Sequence, residues 1–404
     1  MPSSPIDLSA ASVETQAVHA GERTTVGNAT PTVNAIQLST AFSYPDTAEL
    51  DDVFSDPRKG YVYSRHGSPN VQALEEAIAT LEHGGGAVAY GSGMAAINAA
   101  ITHAAAPGDT ILASRDIYGA VYATLNTHFR KYGIHSEFVD ILDLDTVRAK
   151  AAECKPKAIL LESISNPLLR VADIATIATI AHDVDALLIV DNTFATPVVT
   201  RPIDLGADLV VHSTTKFISG HGDVTGGVIV TSKQRTPAIR EENRLSGAIP
   251  SPFDSWLSLR GIKTLPLRMR EHCRNAAAVA TWLVGDPRVV HVNYPGLHEP
   301  LPHGQFLDGL HGAMLSFDIL DAGRNQVFAF LDNLSLIQSA TTLGDVYTLS
   351  LYPAISSHRG YTPEQRHAIG IGDGLVRLSV GIEGLDDVLA DLDVALTAAT
   401  GRSR

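Results

Sequence analysis

Cysteine is nearly absent. Among 404 residues only Cys154 and Cys273 carry a thiol. They stand far apart without ligand spacing, so neither a disulfide framework nor a zinc site follows, and a reducing cytosol is the expected compartment. Basic excess is also missing: 30 Lys and Arg face 44 Asp and Glu, a formal charge of −14. That balance disfavours nucleic acid and anionic membrane as partners, while a local cationic site for a small anion stays possible. No apolar run approaches the ~20 residues that span a bilayer. The opening MPSSPIDLSAAS has no basic n-region and no apolar h-region, so no secretory signal is expected. Internal repeats and low-complexity tracts are lacking too. What remains is ordinary for a soluble, cytoplasmic enzyme: 45% hydrophobic and 18% charged residues. At roughly 150 residues per domain, the length predicts two or three domains.

Residues 1 to about 60 are rich in Ser, Thr, Pro and Asn and read as an extended arm with a little helix near Val13 to His19. Such arms often pack on a neighbouring subunit. Farther on, Val71, Leu74, Ala77, Ile78 and Leu81 share one face of a helix. Short apolar runs then alternate with helical spacing. The predicted strands are 87–90, 110–113, 137–139, 158–161, 186–190, 209–212 and 227–231. The predicted helices between them include 94–105, 121–132, 144–152 and 174–182. Alternation of this kind implies an α/β fold, a mostly parallel seven-stranded sheet flanked by helices. After about Pro252 the rhythm changes. Long helices over 254–271 and 275–284, strands at 289–294, 313–318 and 375–380, and a last helix over 385–398 predict a smaller C-terminal α+β domain. The expected division is an arm over 1–62, a large domain over 63–258 and a small domain over 259–404.

In a parallel α/β sheet, ligands bind beyond the carboxyl ends of the strands. The run Leu209-Val210-Val211 ends on Ser213, Thr215 and Lys216, a nucleophilic amine beside two hydroxyls. That set suits an aldehyde cofactor bearing a phosphate, with the lysine as Schiff-base partner. A surface lysine that merely ends a strand is the plain alternative. After Tyr90, Gly91-Ser92-Gly93-Met94 opens a helix whose free N–H groups could hold phosphate. The same letters, with Ala96 and Asp116, also satisfy a dinucleotide fingerprint. Asp191, after Val190, reads either as an acid for a pyridinium nitrogen or as a helix N-cap. Asn166 could donate to a ring oxygen, and Asn-Pro is also a turn signal. Tyr118 could lie on a ring face or start a core helix. Tyr63 and Arg65 share one side of an extended segment, suited to phosphate; an exposed arginine on an arm is the plain alternative. Arg377 sits among apolar residues, where a charge needs a carboxylate, from substrate or from within.

With these residues assembled, the chain resembles the Cys/Met-metabolism family of pyridoxal-phosphate enzymes. That family includes cystathionine γ-lyase and γ-synthase, methionine γ-lyase and the homoserine sulfhydrylases. The likeness is carried by Tyr63-Ser64-Arg65, Ser92-Gly93-Met94-Ala95-Ala96, Asp191-Asn192-Thr193-Phe194, Ser213-x-Thr215-Lys216 with Gly220-His221, and Arg377-Leu378-Ser379-Val380-Gly381. It runs from about Val18 to the final helix. The resemblance implies a fold-type I homotetramer, a dimer of dimers, that binds pyridoxal 5'-phosphate. Lys216 would form the internal Schiff base, Asp191 would meet the pyridine nitrogen and Tyr118 would stack on the ring and donate a proton. Phosphate would be held by Gly93, Met94, Ser213 and Thr215, and by Tyr63 and Arg65 of the neighbouring subunit. Arg377 would take the substrate α-carboxylate with Thr342 nearby, and Tyr63 and Tyr347 would contact substrate. The implied activity is γ-elimination from a sulfur- or homoserine-derived amino acid by a carbon–sulfur lyase. The alternative is γ-replacement on an O-acyl-homoserine. No metal is implied.

Several positions depart from the family pattern. Ser68-Pro69-Asn70 replaces Asn-Pro-Thr, Ala120-Val121 follows Tyr118-Gly119, and Ile164 replaces a common proline. Tyr347 stands where the cystathionine enzymes often carry Glu, and Tyr352 where His is frequent. These changes fall around the expected substrate pocket and leave the leaving group and the nucleophile open.

Overall fold

The computed structural model describes residues 8–22, 30–56, 59–297 and 300–404. Parts of the expected arm, residues 1–7, 23–29 and 57–58, lie outside the described residues. Seven apolar runs form strands where the sequence predicts them: β1 Gly86–Tyr90, β2 Thr110–Ser114, β3 His135–Val139, β4 Ala158–Glu162, β5 Leu187–Asp191, β6 Leu209–His212 and β7 Gly227–Thr231. Their order is β1-β7-β6-β5-β4-β2-β3. Strands β2 to β6 run parallel, and β7 is antiparallel to both neighbours. Side chains alternate between two cores, as strand pleating requires. Ile159 and Leu161 of β4 enter one, and Ala158 and Leu160 enter the other. Each fully buried Leu or Ile contributes about 1.5–3 kcal/mol.

Helices flank this sheet with caps legible in the sequence. Ser68 accepts from the Val71 N–H, and Pro69 fixes the first turn of the helix Pro69–Leu81. Two expectations need correction. The helix expected over 121–132 is α-helical only over Gly119–Ala123 and widens to i→i+5 turns over Thr124–Phe129. Asn126 and Thr127 donate side-chain bonds to the carbonyls of Tyr122 and Ala123, four residues back, which compete with ordinary helix bonding. The helices expected over 254–271 and 275–284 instead run Pro252–Ile262 and Leu265–Val284. Pro266 lacks an N–H and belongs in a first turn, so it sets the break earlier than expected. A further arm helix, Thr47–Ser55, capped by Asp46, escaped the reading.

The second sheet holds β8 Val289–Asn293, β9 Met314–Ile319, β10 Gln338–Ser339, β11 Leu349–Leu351 and β12 Leu375–Ser379, ordered β10-β11-β12-β9-β8. Strands β10 and β11 are too short for periodicity to reveal. The helix Leu265–Val284 buries Ala276, Val279, Ala280 and Leu283 in this unit's core. The end of β12 and the segments around Thr342 and Ser356 face the carboxyl edge of the large sheet and form a cleft with it.

Arg268 pins the chain that follows Lys216. Its guanidinium donates to the carbonyls of Phe217 (2.7 Å), Ile218 (3.1 Å) and Gly261 (2.8 Å), and Nε donates to Thr264 Oγ1. One turn on, His272 is fully buried against the Phe217 ring, with Nδ1 2.7 Å from the Val380 carbonyl. Burial pushes its pKa down to about 4. The sign is fixed: stability from neutral His272 is present above about pH 6.5 and is lost as pH falls towards 4, up to about 3 kcal/mol. In urea titrations of cofactor-free protein across that range, His272→Gln should show a shallower acid dependence than wild type. Parallel curves would refute this.

Candidate active site

The carboxyl ends of β4, β5 and β6, the start of helix Gly93–Ala104 and the edge of the second sheet enclose a cavity of about 500 Å³. Lys216 lies one short turn beyond β6. Its Nζ donates to Thr342 Oγ1 at 2.9 Å. Burial first, and then the Arg377 charge, lower its pKa, against Asp345, which raises it. A depressed lysine offers neutral amine, the form that attacks an aldehyde or takes a proton.

Arg377, from β12, enters the same cavity and is 4% exposed. Nη1 donates to Asn166 Oδ1 (3.0 Å) and Nη2 to the Thr342 carbonyl (3.1 Å), while buried Nε has no partner. Among the described residues no carboxylate pairs with it. Desolvation, against the opposing Tyr118, brings it down to about 10. An internal Asp is thereby excluded as its partner among the described residues, and a carboxylate supplied from outside would complete it.

Opposite, Ser92 caps its helix by accepting from the Ala95 N–H at 3.1 Å. The N–H groups of Gly93 and Met94 in that first turn have no intrahelical acceptor. Glycine is required at position 93: a Cβ there would lie 2.7 Å from Ser213 Cβ and fill the hollow. The Ser213 backbone is fixed by its N–H donating to Thr193 Oγ1 at 2.9 Å. Thr215 lines the cavity, yet its hydroxyl also accepts from the Gly226 N–H and donates to the Gly226 carbonyl. Free N–H groups at a helix N-terminus beside the Ser213 hydroxyl form a hollow suited to an anion.

Asp191 ends β5 and is no N-cap. Its Oδ1 accepts from the Thr193 N–H at 3.0 Å, and the next helix, Thr196–Val199, starts at Ala195 without a side-chain cap. Burial raises the Asp191 carboxyl, against the Thr193 hydrogen bonds. A cation placed in the cavity would draw it down again. Tyr118 is no core residue either: it is 42% exposed and lines the cavity.

The sequence reading passed over Glu162. It ends β4 directly beside Asp191 in the parallel register, and the same strand-end rule would have found it. Burial first, then the Asp191 charge, push its carboxyl well up. Thr193, Ser356 and Ser357 also reach the cavity and were not anticipated. Tyr63, Arg65 and Tyr347 do not line it. Arg65 donates to the Arg244 carbonyl at 2.7 Å and packs over the Tyr63 ring, while Tyr347 donates to the His221 carbonyl at 3.3 Å. Asp116, the acid a dinucleotide site would need, is committed to Arg170 and Arg115, which removes that alternative.

A helix N-terminus with free N–H groups, a buried carboxylate, a tyrosine at the mouth and a buried amine share one cavity, as a fold-type I pyridoxal-phosphate enzyme requires. Comparison with known proteins makes it specific. The chain belongs to the Cys/Met metabolism PLP-dependent enzyme family, whose model matches residues 14–397. It is 39% identical over 393 residues to an L-methionine gamma-lyase of Fusobacterium nucleatum subsp. polymorphum, covering 95% of this chain and 97% of that one. It is 41% identical over 388 residues to a cystathionine beta-lyase of Lactococcus lactis subsp. cremoris, covering 95% and 99%. A crystal structure of cystathionine gamma synthase from Xanthomonas oryzae pv. oryzae, in complex with aminoacrylate and cysteine, superposes with a TM-score of 0.89. That protein shares 38% identity with this chain, and the match covers 96% of this chain and 99% of the other. Pyridoxal 5'-phosphate is the family's cofactor. No helix among the described residues is long and apolar enough to cross a membrane.

Proposed function

We propose that this enzyme removes the γ-substituent of a sulfur- or homoserine-derived amino acid, acting as a carbon–sulfur lyase. The observation that carries the reading is Arg377: a buried guanidinium facing the cavity beside Lys216, with no carboxylate partner among the described residues. It would bind the substrate α-carboxylate and so fix Cα and Cγ relative to the amine. Pyridoxal phosphate, when bound, supplies the electron sink that makes Cα–H and Cβ–H acidic.

The chain's own groups do the rest. Lys216, held by Thr342, takes and returns protons at Cα and Cβ. Asp191 would keep a positive charge on the ring nitrogen of the bound cofactor. Gly93, Met94, Ser213 and Thr215 would hold its phosphate. Asn166 would contact the ring, and Tyr118 at the cavity mouth would donate a proton to the departing γ-group. Tyr63 and Arg65 lie off the cavity in their own chain and serve a neighbouring subunit's phosphate, within a homotetramer. Tyr63 there, and Tyr347 through the loop at His221, belong to the substrate side. The arm (1–62), large (63–258) and small (259–404) domains and a cytoplasmic location complete the proposal.

A γ-replacement synthase using an O-acyl-homoserine is the second reading, and the similarity to a cystathionine gamma synthase favours keeping it. Incubation with L-methionine, L-cystathionine and O-acetyl-L-homoserine, with and without a thiol, separates them. Elimination yields a 2-oxo acid and ammonia without added nucleophile. A thioether formed only when thiol is present, with no 2-oxo acid from any substrate, would overturn the lyase reading. With cystathionine, 2-oxobutanoate reports cleavage at Cγ and pyruvate cleavage at Cβ.

A further inference from the structure

Glu162 spends both carboxylate oxygens on backbone. Oε1 accepts from the Tyr118 N–H at 2.8 Å, and Oε2 accepts from the Asn166 N–H at 3.2 Å. These two N–H groups belong to turns distant in sequence. One follows β2 and carries the tyrosine at the cavity mouth; the other follows β4 and begins the Ser165-Asn166-Pro167 turn. A carboxylate facing a cavity, side by side with the Asp191 carboxylate, is a costly arrangement. One side chain that joins the turn after β2 to the turn after β4 does more than close either of them.

The connection continues. Asn166, whose N–H is fixed by Glu162, accepts the Arg377 Nη1 bond through its side chain. Ring face, ring edge and substrate clamp are therefore all referred to one group at the end of β4. We infer that Glu162 is a positioning residue that sets Tyr118 directly, and Arg377 through Asn166, around the cofactor ring. This rests on the pyridoxal-phosphate reading of the cavity.

A chain of this kind has two readable consequences. Without Glu162, the Tyr118 turn is released from the ring face, which weakens the cofactor and alters the asymmetry imposed on it. Arg377 also loses its fixed partner, so substrate binding suffers more than turnover. Loss of the two backbone bonds is expected to raise the dissociation constant of pyridoxal phosphate about tenfold or more.

The experiment uses wild type, Glu162→Ala and Glu162→Gln at matched melting temperature. Each apoprotein is titrated with pyridoxal phosphate, the visible circular dichroism of the bound cofactor is recorded, and KM and kcat are measured on the substrate that wild type turns over best. Expected for Glu162→Ala are weaker cofactor binding, a reduced dichroic band and a rise in KM larger than the fall in kcat. Glu162→Gln keeps one acceptor oxygen and should fall between wild type and Ala. If Ala does not fold, Gln alone carries the test against wild type. Cofactor affinity and dichroism unchanged within twofold in a folded variant would overturn the inference and leave the cofactor assignment intact. Failure of wild type itself to bind pyridoxal phosphate would instead sink the reading of the cavity.

Discussion

Lys216→Ala is expected to lose at least about a thousandfold in turnover while keeping its fold, because it removes both the nucleophile and the proton carrier. The substitution should cost little structurally. Lys216 Nζ makes one hydrogen bond, to Thr342 Oγ1. Removing a buried cation beside Arg377 also relieves a like-charge contact, the same contact that helps lower the lysine's pKa. The variant should still take up pyridoxal phosphate, since the cradle at Gly93, Met94 and Ser213 is untouched, yet without forming a bond. Borohydride treatment followed by peptide mass analysis decides the matter. Wild type should retain a pyridoxyl group on the peptide containing Lys216, and the variant none. An adduct on another lysine, or full activity in the variant, would refute the assignment.

Asp191→Asn is the second large effect, about 10²–10⁴-fold in kcat, because an amide cannot sustain a positive charge on a ring nitrogen. The amide oxygen can still accept from the Thr193 N–H, so the turn after β5 should persist. Stability supplies an internal control whose sign follows from burial. The Asp191 carboxyl is raised, chiefly by desolvation. Its contribution to stability is therefore complete below the unfolded carboxylate pKa and declines as pH rises through the folded value. Cofactor-free Asp191→Asn should thus be at least as stable as wild type at neutral pH while being nearly inactive when loaded. Measurement of both melting temperature and kcat tests this. A variant that is unstable but, where folded, fully active would show Asp191 to be structural.

Most of the fold could be read because the signal was strong. Six apolar runs buried on two faces, with the half-exposed edge strand β3 beside them, leave few other arrangements, and strand ends then identify Asp191, Ser213 and Lys216 as neighbours. Glu162 carries a weaker signal: it closes an apolar run whose following Asn166-Pro167 turn is the more distinctive feature of the sequence. The π-helical stretch Thr124–Phe129 depends on side chains competing for carbonyls, which periodicity does not register. Strand β11 exists through pairing with β12, a long-range contact that no short window contains, and β10 through pairing with β11. The committed state of the Thr215 hydroxyl and the missing carboxylate beside Arg377 are likewise facts of three dimensions.

The Arg268 bonds have a bearing on how the enzyme moves. Because the carbonyls of Phe217 and Ile218 are fastened to the long helix, the peptide plane just past the lysine cannot drift. Travel of the amine between one attachment and the next is left to the four methylenes of its own side chain. Such torsional hops are fast, on the order of picoseconds to nanoseconds when unobstructed. Any slow step in the swing of the amine would therefore come from the side chains that crowd it, not from the backbone that carries it.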